Sequence, residues 1–121
     1  MNISAVSGKA VRRDIDVFSG RAESVVLTVY LADDVLQSAV DMDGETLQLK
    51  VYLANEYMRD YGSVVPDTTA ILSKDTTEGA SNTFSITASD TLKLKGRYAY
   101  MINQGVGDAV SCLTYGAFTV K

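Results

Sequence analysis

Thr46-Leu-Gln-Leu-Lys-Val-Tyr-Leu53 is the stretch that decides the fold. Leu47, Leu49, Val51 and Leu53 point one way, and Gln48, Lys50 and Tyr52 point the other. Strict alternation belongs to a β-strand, so this run predicts a half-buried strand with one face in a core. Just before it, Asp41-Met-Asp-Gly-Glu45 is a turn, because Asp-Gly tolerates the positive φ of a tight reversal.

The same period extends upstream and downstream. Val11 to Phe18 reads as a first strand, and Ser19-Gly20-Arg21 as the turn that ends it. Glu23 to Leu31 follows, with Val25, Leu27, Val29 and Leu31 on one face; Val26 and Tyr30 make the other face partly apolar. A strand apolar on both faces is central or covered. Asn55 to Thr69 has no strand pattern; Ala70 to Lys74 is a short strand and Asp75 to Gly79 a turn. Thr83 to Thr87 alternates again with Phe84 and Ile86 inward, and Ser89-Asp90-Thr91 caps a short turn that is expected to place Leu92 and Leu94 in the core. Arg97 to Ile102 puts Tyr98, Tyr100 and Ile102 on one face; Asn103 to Asp108 is a hairpin loop; Ala109 to Thr114 and Gly116 to Val120 complete the set. Seven to eight short strands, about ten residues apart, predict an all-β, immunoglobulin-like antiparallel β-sandwich. Residues 1–9 show no core pattern and are expected to be an N-terminal arm; residues 10–121 are expected to form a single β-sandwich domain.

Composition narrows the chemistry. The chain has 121 residues, 46% of them apolar, enough for one core and too few for two ordinary domains. A net charge of −4 opposes phosphate, and the closest basic pairs, Arg12–Arg13 and Lys93–Lys95, make no nucleic-acid footprint. No apolar run approaches a membrane span, and the start of the chain lacks the basic and apolar regions of a signal peptide. A single cysteine, Cys112, allows no internal disulfide and matches folding in a reducing cytosol. Histidine is absent, which removes the commonest general base and transition-metal ligand. No nucleophile–base pair can be assembled, so the expectation is a protein that binds without catalysing, with no cofactor.

Several clusters invite a sharper reading. Asp41, Asp43 and Glu45 around Gly44 resemble hard oxygen ligands, but the distal glutamate of a calcium loop is missing and an acidic hairpin is expected, with no metal. Asp75 and Glu78 read as a solvated turn rather than an acid–base pair. Gly105-Val-Gly107 precedes a strand rather than the helix a dinucleotide fingerprint needs. Cys112 lies in an apolar strand and reads as a small buried hydrophobe. Tyr57, Met58, Arg59 and Tyr61 are residue types enriched at interface cores, on a long loop; they are the candidate interface, and folding back on the protein's own core is the alternative. Gly96 and Tyr98 have the spacing of a tyrosine corner, in which the hydroxyl bonds upstream backbone.

Two passages carry a family resemblance: Ala39-Val-Asp-Met-Asp-Gly-Glu-Thr-Leu-Gln-Leu-Lys-Val-Tyr52, and Asn82-Thr-Phe-Ser-Ile-Thr followed by Ser89-Asp-Thr-Leu, Gly96-Arg-Tyr-Ala-Tyr100 and Tyr115-Gly-Ala-Phe-Thr-Val120. From about Arg21 onward, their order and spacing resemble the N-terminal domain of phage baseplate upper proteins and related fibre-anchoring domains. Met42-Asp43 stands where that family often has leucine-threonine. The resemblance implies a structural protein of a tailed-phage virion, made in the host cytoplasm and docking on capsid or tail subunits as a multicopy assembly or homo-oligomer. Family members often continue into a fibre or baseplate module, and none follows here, so capsid decoration or head-fibre anchoring is expected, with a tail or baseplate adaptor as the alternative. A host- or glycan-binding module is the alternative from another class, since exposed tyrosines on a sandwich can stack on sugar rings.

Overall fold

The computed structural model describes residues 1–6, 10–30, 47–53, 70–77, 80–104 and 111–121. Among these, the strands are β1 (Asn2–Val6), β2 (Val11–Arg12), β3 (Ile15–Val17), β4 (Glu23–Tyr30), β5 (Leu47–Leu53), β6 (Leu72–Thr77), β7 (Ala80–Ile86), β8 (Gly96–Gln104) and β9 (Ser111–Val120), with one short helix, α1 (Ala88–Thr91), between β7 and β8. The all-β sandwich expected from the alternation is the fold observed.

Two sheets face each other. In the first, β1 pairs parallel with β4, and β4 antiparallel with β7. In the second, β5 pairs antiparallel with β8 and β8 with β9. β6 belongs to both: Leu72 to Asp75 pair with β5, then Thr76 and Thr77 pair with β7 across a register shift. A strand shared in this way closes one side of the sandwich and leaves no open edge there. Between the sheets lie Val25, Leu27 and Val29 of β4, Leu47, Leu49 and Val51 of β5, Phe84 and Ile86 of β7, Tyr100 and Ile102 of β8, and Phe118 and Val120 of β9. Each such side chain contributes about 1.5–3 kcal/mol by leaving water. Tyr100 meets Phe118 edge-on at 6.5 Å between ring centres.

Several features depart from the sequence expectation: Asp75 to Thr77, expected in a turn, belong to β6, the two final strands are one continuous β9, and Leu53, expected on the core face of β5, is exposed. Three further departures concern larger parts of the fold. The first is at the N-terminus. Residues 1–9 were expected to be an arm without a core pattern, yet Asn2–Val6 is β1, paired with Val26 to Tyr30, with Ile3 and Ala5 buried. Its alternation is carried by one isoleucine and one alanine, too weak a signal against a polar background. In the other sheet, β2 and β3 pair parallel with β9. These parallel pairs make the arrangement mixed rather than wholly antiparallel, and with β1 they bring the described strands to nine.

The second departure is in the Val11–Phe18 run, which breaks at Arg13-Asp14 into β2 and β3. The third concerns β5. Its supposed solvent face is also covered: Lys50 and Tyr52 are buried, and Tyr52 and Met101 form a second apolar cluster with Ala70, Cys112 and Tyr115 packed against it. Lys50 Nζ donates to Ser73 Oγ at 2.6 Å, so its head group keeps a polar partner while its stem lies among apolar atoms.

Candidate functional site

The strand registers bring separate parts of the sequence to one end of the sandwich. Val17 of β3 and Gly96 of β8 both lie opposite Val120 of β9, Glu23 of β4 lies opposite Ile86 of β7, and Leu53 of β5 lies opposite Tyr98 of β8. The β3–β4 turn (Phe18 to Ala22), α1 with Leu92 to Lys95, and Lys121 therefore meet there.

The turn forms because Gly20 takes φ +74°, a left-handed conformation that glycine adopts at no steric cost. α1 begins at a capping box: the Thr87 hydroxyl accepts from Asp90 N–H at 3.3 Å, and the Asp90 carboxylate accepts from Thr87 N–H at 2.8 Å. Turn and helix are bonded to each other. Ser19 Oγ donates to the Thr91 carbonyl at 2.9 Å, Gly20 N–H donates to Thr91 Oγ1 at 3.1 Å, and Thr91 Oγ1 donates to the Phe18 carbonyl at 3.4 Å. Thr91 is fully buried at the centre of this brace. Lys74 Nζ lies 2.9 Å from Asp90 Oδ2 and ties α1 to β6. Burial pushes the Asp90 carboxyl up, but the hydrogen bonds from Lys74 and Thr87 outweigh it and hold its pKa below the usual carboxylate value.

This hydrogen-bonded frame presents apolar side chains to water. Leu92 is 65% exposed and Phe18 49% exposed. A Cβ on Gly20 would lie 3.4 Å from Leu92 Cδ1, so the turn and Leu92 are in van der Waals range. The Arg21 guanidinium sits over the Phe18 ring at 5.1 Å, a cation–π contact. The core position expected for Leu92 is not observed. Leu94 N–H bonds the Thr91 carbonyl at 3.0 Å, and this turn sends Thr91 and Leu94 inward and Leu92 and Lys93 outward.

A second polar assembly lies where β2 breaks from β3. Arg13 N–H donates to the Tyr115 carbonyl at 2.8 Å, the Tyr100 hydroxyl donates to the Arg13 carbonyl, and Ala117 N–H donates to Asp14 Oδ1 at 3.0 Å. That backbone bond lowers the Asp14 pKa most, partial burial opposes it, and Arg12 lowers it further. Burial raises the Tyr100 phenol well above its ordinary value.

The remaining sequence candidates fall as follows. Gly96 opens β8, and the Tyr98 hydroxyl bonds both the N–H and the carbonyl of Lys95, each at 3.3 Å. Tyr57, Met58, Arg59 and Tyr61 lie outside the described residues, as do Asp41, Asp43, Glu45, Glu78 and Gly105-Val-Gly107. Asp75 accepts from Gln48 Nε2 at 2.9 Å across the β5–β6 ladder. Cys112 is half-buried, and burial pushes its thiol up to about 11, so it is no poised nucleophile at neutral pH. Among the described residues no cluster of carboxylates or thiols is placed to hold a metal, and no helix is long and apolar enough to cross a membrane. The sequence alone gives Phe18 to a strand, Arg21 to a turn and Leu92 to the core, and none of them to an exposed surface patch. The signal that bears on Leu92 is Thr87-Ala-Ser-Asp90, a capping-box spacing that starts the helix one turn before it.

No protein-family model matches the sequence, and no curated protein does. Among solved structures, a chain of the crystal structure of the human ephrin A2–ephrin A1 complex is similar in path over 99% of this chain and 98% of its own, with 13% sequence identity and a TM-score of 0.42.

Proposed function

We propose that this chain is a non-enzymatic structural protein of a tailed-phage virion that docks by protein–protein contact through the Phe18–Leu92 end of its sandwich. The observation that carries docking is the exposure of two large apolar side chains on a hydrogen-bonded frame. A frame already ordered loses little further entropy on association, and aliphatic and aromatic anchors beside an arginine are the composition of interface cores. The virion setting is supported by the resemblance of the Ala39–Tyr52 and Asn82–Val120 passages to phage baseplate upper and fibre-anchoring domains. Capsid decoration or head-fibre anchoring is the favoured position. Many copies in a symmetric lattice make weak single contacts effective through avidity.

Quantifying the protein in purified virions against the major capsid protein tests this. A copy number of the order of the capsid protein supports decoration, and a few copies per particle support the tail or baseplate alternative. Absence from particles overturns the structural role. Phe18→Ala with Leu92→Ala is expected to reduce incorporation while leaving a folded protein.

A further inference from the structure

We infer that the Phe18–Leu92 patch docks on an acidic protein surface, one that inserts an apolar side chain beside Leu92 and turns carboxylates toward Arg21, Lys93 and Lys95. The inference rests on the docking role proposed above and adds the chemistry of the partner.

The two segments that build the patch, residues 18–22 and 91–97, contain Arg21, Lys93, Lys95 and Arg97 and no carboxylate. The chain as a whole carries −4, so this local excess runs against the overall balance. Two carboxylates around this end are already engaged: Asp90 pairs with Lys74 at 2.9 Å, and Asp16 lies 3.5 Å from Lys121 Nζ. Glu23, the next carboxylate along the chain, sits in the β4 ladder opposite Ile86. Among the described residues no ion pair engages Arg21, Lys93 or Lys95.

Charge and apolar area are interleaved rather than merely adjacent. Arg21 lies over the Phe18 ring, and Lys93 directly follows Leu92. Any partner that covers Phe18 and Leu92 must also cover or border these cations. A neutral apolar partner would desolvate them without compensation, and a basic partner would be repelled. Carboxylates meet them favourably, and the weakly hydrated guanidinium of Arg21 is suited to a paired carboxylate at an interface. A long polyanion is a poor fit, because beyond the patch it would meet the field of an acidic chain.

The test uses fluorescence anisotropy with the full chain and two labelled dodecapeptides, one alternating glutamate with leucine and one alternating lysine with leucine. Saturable binding of the acidic peptide in low salt, with none of the basic one, supports the inference. Arg21→Glu with Lys93→Glu is expected to weaken that binding about tenfold, and Leu92→Ala to weaken it without changing its salt dependence. Near-ultraviolet circular dichroism confirms that the variants are folded. Equal binding of both peptides, or binding unchanged in the charge-reversed variant, overturns it. Retention on phosphatidylserine vesicles without binding of the acidic peptide also overturns it, in favour of a lipid surface. Self-association at low salt that the charge reversal abolishes supports it and identifies the acidic surface as a second copy of this chain. Incorporation into virions separates the two levels. If the Phe18 and Leu92 truncations lose incorporation and the charge reversal retains it, docking stands and the acidic partner falls. If the truncations retain it, the docking role itself falls.

Discussion

At Arg13-Asp14 the N-terminal segment is hydrogen-bonded to β9, whereas at Phe18–Ala22 the same segment is tied to α1 with its apolar side chains outward. Both regions are held by hydrogen bonds between parts of the chain far apart in sequence: Tyr100 to Arg13 and Asp14 to Ala117 in the first, Ser19 and Gly20 to Thr91 in the second. They differ in what surrounds those bonds. The first is bordered by the fully buried Tyr100 ring and by Gly116, and its bonds tie the exposed Arg13 and Asp14 to strands of the core. The second is bordered by Phe18 and Leu92, which water still reaches. Changes in the first region therefore act on folding, and changes in the second act on what the folded protein touches.

Gly116 offers the largest break in the first region. A Cβ there would run into the Arg13 carbonyl and come within 2.8 Å of Asp14 Oδ1, against backbone that is itself hydrogen-bonded. Gly116→Ala is expected to destabilise by about 3 kcal/mol, the upper range for forcing atoms into a filled site. Urea unfolding with an unchanged m-value checks it. A loss below about 0.5 kcal/mol, the scatter of ordinary surface changes, would show that the Arg13-Asp14 segment yields readily.

Tyr100→Phe ranks next. It keeps the edge-on contact with Phe118 but removes the donor to the Arg13 carbonyl. The expected loss is about 1–2 kcal/mol, the effect of leaving a part-buried carbonyl without its partner. The same substitution at Tyr98 is expected to have less effect, since that hydroxyl makes two long bonds to the exposed backbone of Lys95.

Asp14 gives the pH dependence of this region. Its folded pKa lies below the ordinary aspartate value of 3.8, chiefly through the Ala117 N–H bond. A group depressed in the folded state stabilises above its unfolded pKa, and that contribution is lost as pH falls through the folded one. Stability should therefore fall as the solution is acidified below the ordinary carboxylate range. Asp14→Asn should flatten that slope in urea titrations at successive pH values. Asp90 is depressed as well and titrates in the same direction, so the flattening is partial; an unchanged slope would show that the Ala117 bond does not outlast the fold's own fluctuations.

Legibility in the sequence follows the same division. The sandwich was readable because Leu47, Leu49 and Val51, or Tyr98, Tyr100 and Ile102, repeat a period of two with large apolar residues. β1 was not, because only Ile3 and Ala5 of its five residues are buried apolar positions, and partnership with β4 rather than composition makes it a strand. Alternation in β5 predicted a wet face at Lys50 and Tyr52, yet burial on that face is set by the rest of the chain and is not encoded in the strand's own pattern. For the candidate site the miss was one of geometry. Leu92 and Leu94 are equally apolar on paper, and the turn after Thr91 alone decides which of them faces water. The long-range tie was likewise divided between two tyrosines two positions apart: Tyr98 closes a local turn, while Tyr100 reaches across to Arg13.

The smallest expected effect on stability is the one that sharpens the contrast most. Leu92→Ser removes an apolar side chain that is 65% exposed and leaves the Thr87–Asp90 box and the Thr91 brace intact. Little burial is lost, so unfolding free energy should change by no more than about 0.5 kcal/mol, within the range of ordinary surface substitutions. A side chain retained for folding would not behave this way, since truncating a buried leucine removes about 2–5 kcal/mol. Thermal or urea unfolding of this variant beside Gly116→Ala thus asks whether Leu92 serves the fold or a partner. Near-neutral stability combined with lost docking assigns it to the partner. A loss of several kcal/mol would mean that Leu92 is covered in solution, and the end of the sandwich would then belong to the core.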